Sequence, residues 1–229
     1  MQQVSFNVVD RSGGSRAEIA EVNRLTIAGW AGRDQAAIEH HIAELAELGV
    51  KRPSTTPLFY RLGAELLTQA EQIDVVGVKS SGEAECVLVQ TKTGLLVTVG
   101  SDHTDREVEA YGVTVSKQVC PKPLARNAWR FDDVAGHWDQ LELRAFAVAS
   151  NGERRVYQQG SVASLLPAAD LLTRAPLAQG AAMFCGTLAV QGGIVGMTDG
   201  DALELELHDP ILNRTLRHAY RVRALPIVE

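Results

Sequence analysis

Two glutamates, Glu83 and Glu85, are spaced so that they can act together. They stand in "SSGEAECVLV", whose apolar end is typical of a strand. Residues two apart on a strand project from one face, about 6.6 Å apart along it. Val87 and Val89 continue this face, so we expect the two carboxylates at the end of a partly buried surface. Their like charges then need a cation or a shared proton, whereas at an exposed sheet edge both would be solvated.

A second polar group lies in "GSDHTDRE", residues 100–107. Asp102, His103 and Asp105 could form a ligand set or a catalytic pair. A histidine beside a carboxylate is a usable general base, because its ordinary pKa lies near neutrality.

The same letters also fit the start of a helix. Thr104 and Glu107 match the capping-box pattern, and Asp105 would bring negative charge to the helix N-terminus. Val108 and Tyr111 would then lie on the buried face. The residues alone leave both interpretations open.

Composition limits the classes of partner. The chain has 229 residues, of which 45% are hydrophobic, and this suits one large domain or one domain with a small appendage. The net charge is −6 and the basic residues are scattered. We therefore expect neither nucleic acid nor acidic membrane as a partner.

The cysteines and the apolar runs indicate the compartment. The three cysteines are far apart, which excludes zinc spacing and a disulfide framework. The N-terminus lacks a signal-peptide core, and no run reaches membrane-spanning length. These features predict a cytoplasmic protein.

The order of the elements predicts an α+β fold. Residues 3–9 alternate like a strand, and residues 34–50 form the clearest helix, with Asp34 as its cap and Gly49 at its end. From residue 73 onward short apolar runs predict strands, including "YGVTVS" at 111–116. We expect a small N-terminal αβ segment, residues 1–53, and a β-rich domain, residues 54–229.

Six segments in a fixed order resemble the fumarylacetoacetate hydrolase-like superfamily, in a functionally uncharacterised bacterial branch. They are "TPLFYRL", "GEAECVLV", "YGVTVSKQV", "SNGERRVYQQGSVASLL", "MFCGTLAVQGG" and "TDGDALELEL". The resemblance implies a β-rich mixed-sheet roll and, commonly, a homodimer.

The resemblance also implies a site for Mg²⁺ or Mn²⁺. Glu83 and Glu85 match two family ligands, and the position of the third, an aspartate, falls on Gln118. A glutamine offers a neutral oxygen, and Lys117 beside it adds positive charge, so metal binding should be weaker and a metal-free site becomes conceivable.

Further roles follow from the resemblance. His103, with Asp102 or Asp105, would activate water, move a proton or supply the missing ligand. The substrate carboxylate and its surroundings would be contacted by Arg61, Lys122, Gln159, Gly160, Ser161, Gly186 and Thr187.

The resulting hypothesis is a hydrolase or lyase that acts on a small keto acid or related carboxylate through a metal-stabilised enolate-type intermediate. One alternative is a metal-free enzyme that uses Lys117 as its cation. Another is a non-catalytic domain that binds a small acid, because fold alone does not fix function.

Overall fold

The fold is strand-rich α+β, as the sequence predicts. A computed structural model describes residues 1–47 and 49–228. Its strands are β1 (Gln2–Val9), β2 (Ser15–Val22), β3 (Arg24–Gly29), β4 (Leu58–Leu62), β5 (Leu67–Thr68), β6 (Gln72–Val76), β7 (Ser80–Ser81), β8 (Ala84–Thr91), β9 (Gly94–Ser101), β10 (Thr104–Asp105), β11 (Lys122–Pro123), β12 (Asn127–Arg130), β13 (Glu142–Val148), β14 (Arg154–Ser161), β15 (Ala181–Thr187), β16 (Ala202–Asp209) and β17 (Arg214–Leu225).

Two main sheets contain most of these strands. The larger is a curled mixed sheet in the order β2-β1-β12-β9-β8-β15-β3-β4, in which β1/β12 and β15/β3 are parallel pairs. The smaller has the order β14-β13-β16-β17-β6, with β17/β6 parallel. Two short pairs, β10-β7 and β11-β5, complete the strands. The first 53 residues contribute three strands to the larger sheet, and their separation from residues 54–229 as a domain stays a prediction.

The helices are short apart from the first. They are α1 (Gln35–Glu47), α2 (Arg106–Glu109), α3 (Val113–Gln118), α4 (Phe131–Val134) and α5 (Ala168–Arg174), with 3-10 turns at Ala64–Leu66, Ala135–Gln140 and Val162–Ser164. Among the described residues, no helix combines the length and the apolar character that crossing a membrane requires.

The α1 helix is confirmed. The Asp34 carboxylate accepts hydrogen bonds from the second and third backbone N–H groups of the helix, which satisfies donors that have no partner within it. Ile38 and Ile42 are buried one turn apart. Gly49, with a φ of +88°, ends the helix in the left-handed conformation.

Strand β8 is buried on both faces. Cys86 and Leu88 belong to the core between the two main sheets. Val87 and Val89 face a second apolar cluster, which the larger sheet encloses as it curls. A strand covered on both sides is typically a continuous apolar run, and its burial includes Glu85 near its beginning.

The β8–β9 hairpin fixes the position of a third carboxylate. Thr91 pairs with Gly94 at its turn, and the register continues to Ala84 opposite Ser101. One step further, the backbone N–H of Asp102 donates to the Glu83 carbonyl oxygen at 2.9 Å. Asp102 therefore lies directly opposite Glu83.

The strand predicted at 111–116 is wrong, because residues 113–116 belong to α3 and residues 111 and 112 lie in the connection before it. Residues 106–109 form α2, and α3 begins at Val113. Two of the three residues Val113, Thr114 and Val115 are exposed, so the β-branched side chains find no strand neighbour to pack against.

The cap of α2 also differs from the prediction. Asp105, rather than Thr104, accepts the backbone N–H groups of Glu107 and Val108, both at 3.0 Å. The Thr104 hydroxyl instead donates to the Asp102 carbonyl oxygen. Tyr111, expected on the buried face, is 78% exposed.

Candidate active site

Three carboxylates converge where β8 begins and β9 ends. Glu83, Glu85 and Asp102 each offer an oxygen atom, and these atoms lie within 4.8 Å of one another. Asp102 is fully buried and Glu85 is nearly so, while the Glu83 side chain is 15% exposed. The alternative of solvated glutamates at a sheet edge is therefore wrong.

Three cations surround these carboxylates. Lys117 Nζ, from the end of α3, lies 2.5 Å from Asp102 Oδ2 and 3.4 Å from Glu83 Oε2. Arg106 Nη2 donates to Glu83 Oε1 at 2.9 Å. Lys122 Nζ lies 3.2 Å from Asp102 Oδ1. The cluster thus neutralises most of its own negative charge.

The two glutamates have opposite pKa shifts. Burial raises the pKa of Glu85 well above its usual range, and the charges of Asp102 and Glu83 add to the rise. Burial also acts to raise the pKa of Glu83, but the charges of Arg106 and Lys117 outweigh it and lower that pKa. Glu83 is therefore the ionised member of the pair at neutral pH, and Glu85 is the one that burial disfavours as an anion.

Gly186 and Thr187 lie beside Glu85, and their predicted contact with a substrate stays a prediction. The Gly186 backbone N–H donates to Glu85 Oε2 at 2.7 Å. The Thr187 hydroxyl donates to the carbonyl oxygen of Ala84 at 2.8 Å. These two contacts join β15 to the start of β8 and hold the Glu85 carboxylate in place.

Lys122 is buried behind the cluster. Its ammonium donates to the carbonyl oxygens of His103, Lys117 and Cys120. Burial lowers the pKa of Lys122, while the Asp102 charge opposes this shift. With all three N–H bonds directed at backbone oxygens, this ammonium is fixed.

His103 lies next to Asp102 in sequence but belongs to a different network. Its Nδ1 contacts the Tyr220 hydroxyl and its Nε2 contacts the Ser80 hydroxyl, each at 2.9 Å. The Tyr220 hydroxyl in turn contacts Ser101 Oγ, which accepts the backbone N–H of Glu83. Burial lowers the pKa of His103 to about 3, so the ring is neutral at neutral pH.

Gln118 and Arg61 lie apart from the carboxylates. Gln118 Oε1 accepts the backbone N–H of Gly63 at 2.9 Å, so its carbonyl oxygen is already engaged. Arg61 is exposed on β4. The third carboxylate beside the glutamates is Asp102, whereas the resemblance implied Gln118, at the end of a predicted strand that is helical in the structure.

The "QQGS" segment contributes a different residue from those expected. Gln159 and Ser161 are exposed, Gly160 is half-buried, and the Ser161 hydroxyl caps a 3-10 turn. The preceding Gln158 is the buried one. Its Oε1 accepts the Ala84 backbone N–H at 2.9 Å, and its Nε2 donates to the Thr187 hydroxyl at 2.7 Å.

Arg106 and Glu109, to which no sequence motif assigns a role, complete the cluster. Arg106 donates to Ser81 Oγ at 2.8 Å and to Glu109 Oε2 at 3.4 Å, besides its bond to Glu83. Burial raises the pKa of Glu109. The sequence could have indicated both residues, because they are three positions apart on the helix that follows "SDHTD", and residues three apart on a helix share a face.

The donor set fits a divalent cation. Carboxylate oxygens are the ligands that Mg²⁺ and Mn²⁺ prefer. Asp102 Oδ1 is buried and lies 3.2 Å from Lys122 Nζ, but within residues 1–47 and 49–228 it has no partner in hydrogen-bond geometry, which leaves it a lone pair for an ion. Glu83, Glu85 and Asp102 are the residues that could hold such an ion.

Solved structures with a similar fold include those of a protein called Cg1458 and of a 2-keto-3-deoxyarabinonate dehydratase. The fold matches crystal structures of Cg1458 with a TM-score of 0.65, 16% identity, and coverage of 91% of this chain and 80% of that one. It matches 2-keto-3-deoxyarabinonate dehydratase with a TM-score of 0.64, 17% identity, and coverage of 92% and 77%. A complex of that dehydratase with magnesium and 2,5-dioxopentanoate matches with a TM-score of 0.64 and 16% identity over the same shares.

The chain itself belongs to a family without a described function. Residues 28–220 match the model of the family called protein of unknown function DUF2848, which covers most of the chain. A search of curated proteins found no match. At 16–17% identity the solved structures establish the fold alone.

Proposed function

We propose that this protein is a fumarylacetoacetate hydrolase-like enzyme, a lyase or hydrolase that acts on a small keto acid or related carboxylate. The observation that carries the proposal is the convergence of Glu83, Glu85 and Asp102 with three cations in one largely buried cluster. Buried charges of this density are costly unless they are paired, and such arrangements concentrate at functional sites. The keto-acid dehydratase with the same fold supports the class of substrate.

The chemistry we propose is stabilisation of negative charge that develops on a substrate carbonyl oxygen. A divalent cation held by Glu83, Glu85 and Asp102 would polarise that oxygen as a Lewis acid. The chain itself supplies fixed positive charge from Arg106, and from Lys117 when no ion is bound, in a site from which water is largely excluded. Preorganised charges in such an environment stabilise an enolate-type transition state without reorganisation during the reaction.

A second version of the same function dispenses with the metal. It is favoured by the contact of 2.5 Å between Lys117 Nζ and Asp102 Oδ2, which already places a cation among the carboxylates. Burial acts to lower the pKa of Lys117, but Asp102 and Glu83 outweigh it and raise that pKa above its usual value. The ammonium is therefore charged throughout the neutral range.

The test is turnover of a panel of 2-keto acids, 3-deoxy-2-keto acids and acylpyruvates, measured with Mg²⁺, with Mn²⁺ and with a chelator. Glu83→Gln should lower kcat/KM at least 100-fold on any substrate that is turned over. The exposed Glu204→Gln, which loses only a surface pair with Arg154, should leave it unchanged.

The outcomes separate the alternatives. Activity that needs added metal supports the metal version, and activity that survives the chelator but is lost in Lys117→Met supports the metal-free version. Tight binding of a panel member without product over hours identifies a non-catalytic binding domain and refutes the enzyme proposal.

A further inference from the structure

Lys117 occupies the position among the carboxylates that a bound ion would need. Its ammonium donates to Asp102 Oδ2 at 2.5 Å and to Glu83 Oε2 at 3.4 Å, and it lies 3.5 Å from the Thr104 hydroxyl. All three of its contacts are thus made inside the cluster. The side chain is only 7% exposed.

The remaining carboxylate oxygens are too few to coordinate an ion independently. Glu83 Oε1 accepts from Arg106, and Glu85 Oε2 accepts from Gly186. The second oxygen of Glu85 is left, together with Asp102 Oδ1, which Lys122 Nζ approaches at 3.2 Å. Mg²⁺ requires near-octahedral coordination at short distances, so a third protein ligand would have to be an oxygen that already has a partner, and Lys117 holds one oxygen of Glu83 and one of Asp102.

Of the three cations, Lys117 is the one that can withdraw. Lys122 is held by three carbonyl oxygens, and the Arg106 guanidinium is held by Ser81, Glu83 and Glu109. Lys117 stands on the last turn of the six-residue α3, and its four-carbon stem is flexible.

A nearby aromatic ring can receive the displaced ammonium. The centroid of the Tyr60 ring lies 6.0 Å from Lys117 Nζ, at the outer limit of a cation–π contact. A small rotation of the lysine stem would move the ammonium from Asp102 towards this ring. The charge would then remain partly compensated after it leaves the carboxylates.

We propose that Lys117 and a divalent cation exchange at this site, so that the ion binds Asp102 and Glu83 only when the ammonium leaves them. Lys117 thereby sets the metal affinity of the chain and keeps the carboxylates neutralised when no ion is bound. The inference rests on the cation site of the proposed function but is independent of the reaction.

The first experiment measures Mn²⁺ binding by electron paramagnetic resonance of the free ion, on chelator-treated protein. Lys117→Met should bind one Mn²⁺ at least tenfold more tightly than the wild type. Lys92→Met is the matched control, because Lys92 is exposed and makes only a surface pair with Glu21, and it should bind as the wild type does.

Equal or weaker binding by Lys117→Met overturns the exchange, and so does the absence of binding in both proteins. The two results are distinguishable, because equal tight binding leaves the cation site of the proposed function intact, whereas no binding removes it.

The second experiment uses only the wild-type protein, so it does not depend on whether a variant folds. In the wild type labelled with ¹⁵N-lysine, saturating Mg²⁺ should shift the ammonium signal of Lys117 and leave that of Lys92 in place. Saturation with Mg²⁺ without a change at Lys117 overturns the inference, even if Lys117→Met proves unstable.

Discussion

Replacing Asp102 by asparagine tests whether this carboxylate holds the buried cluster together. The substitution preserves shape and removes a charge that lies 2.5 Å from Lys117 Nζ and 3.2 Å from Lys122 Nζ. At an effective dielectric constant of about 20, these contacts correspond to attractions of about 7 and about 5 kcal/mol. Much of this is offset because the variant no longer desolvates a carboxylate.

The expected net loss is about 3–5 kcal/mol, the range for breaking one side of a buried ion pair. Folded domains are stable by only about 5–15 kcal/mol, so the effect should be plain in urea unfolding of chelator-treated protein. The loss arises mainly because two ammonium groups stay buried with less negative charge around them.

A double-mutant cycle separates this cause from a general loss of packing. In the Asp102→Asn background, Lys117→Met removes one of the two buried ammonium groups that have lost their carboxylate. The double variant should therefore be about 2 kcal/mol more stable than the sum of the two single losses predicts. Lys92→Met added to the same background should restore nothing. If Asp102→Asn costs less than about 1 kcal/mol, or if the lysine changes are indistinguishable, the cluster does not carry the stability that we assign to it.

Two further predictions concern residues outside the carboxylate cluster. Burial acts to raise the pKa of Asp209, but hydrogen bonds from the Leu212 backbone N–H and from His137 and Arg214 outweigh burial and lower this pKa. The Asp209 carboxylate therefore stabilises the fold at pH values above the ordinary carboxyl pKa, and this stabilisation is lost as the pH falls through the lowered pKa. Asp209→Asn should therefore cost about 3 kcal/mol in urea unfolding at pH 7 and less near pH 3, while the exposed Asp74→Asn should change little; a pH-independent loss would contradict this. Gly186 has a φ of +96°, and a Cβ there would lie 2.9 Å from Ala31 Cβ, so Gly186→Ala should cost about 2 kcal/mol by thermal unfolding. Gly136→Ala, whose Cβ would meet open space, is the control, and equal effects of the two would refute the steric argument.

The third carboxylate could have been located from the sequence by counting across the hairpin. The Gly94 in "QTKTGL" marks a turn, and the register that pairs Thr91 with Gly94 leads back to Asp102 opposite Glu83. Strand register has a period of two, so this count also fixes which side chains share a face. The resemblance instead implied Gln118 as the ligand, because residues 111–116 match a strand of the family.

The helical state of α3 could not be predicted from its residues. Val113 and Val115 favour a strand on propensity, and α3 is too short for propensity to decide its state. The long-range ion pair from Lys117 to Asp102 depends on this helical turn, and local patterns contain no information about it.

The sequence predicts Gln159 as a site residue, whereas the structure places Gln158 beside Thr187, and the cause is again absent from the local pattern. The pairing of β13 with β14 shifts register between Ala145 and Phe146, which inserts one extra residue at Tyr157. A β-bulge lets consecutive residues face the same side, so Tyr157 and Gln158 are both buried. Simple alternation along "VYQQGS" cannot reveal such an insertion.

Tyr220 ties the last described strand to the centre of the molecule. Its hydroxyl contacts Ser101 and His103, which flank Asp102 on both sides. During synthesis, residues 1–130 emerge before β17, so the hairpin with its acidic side chains exists for some time without this support. The final geometry around Asp102 therefore depends on a strand that lies more than a hundred residues further along the chain, and the cluster is complete only after β17 has docked.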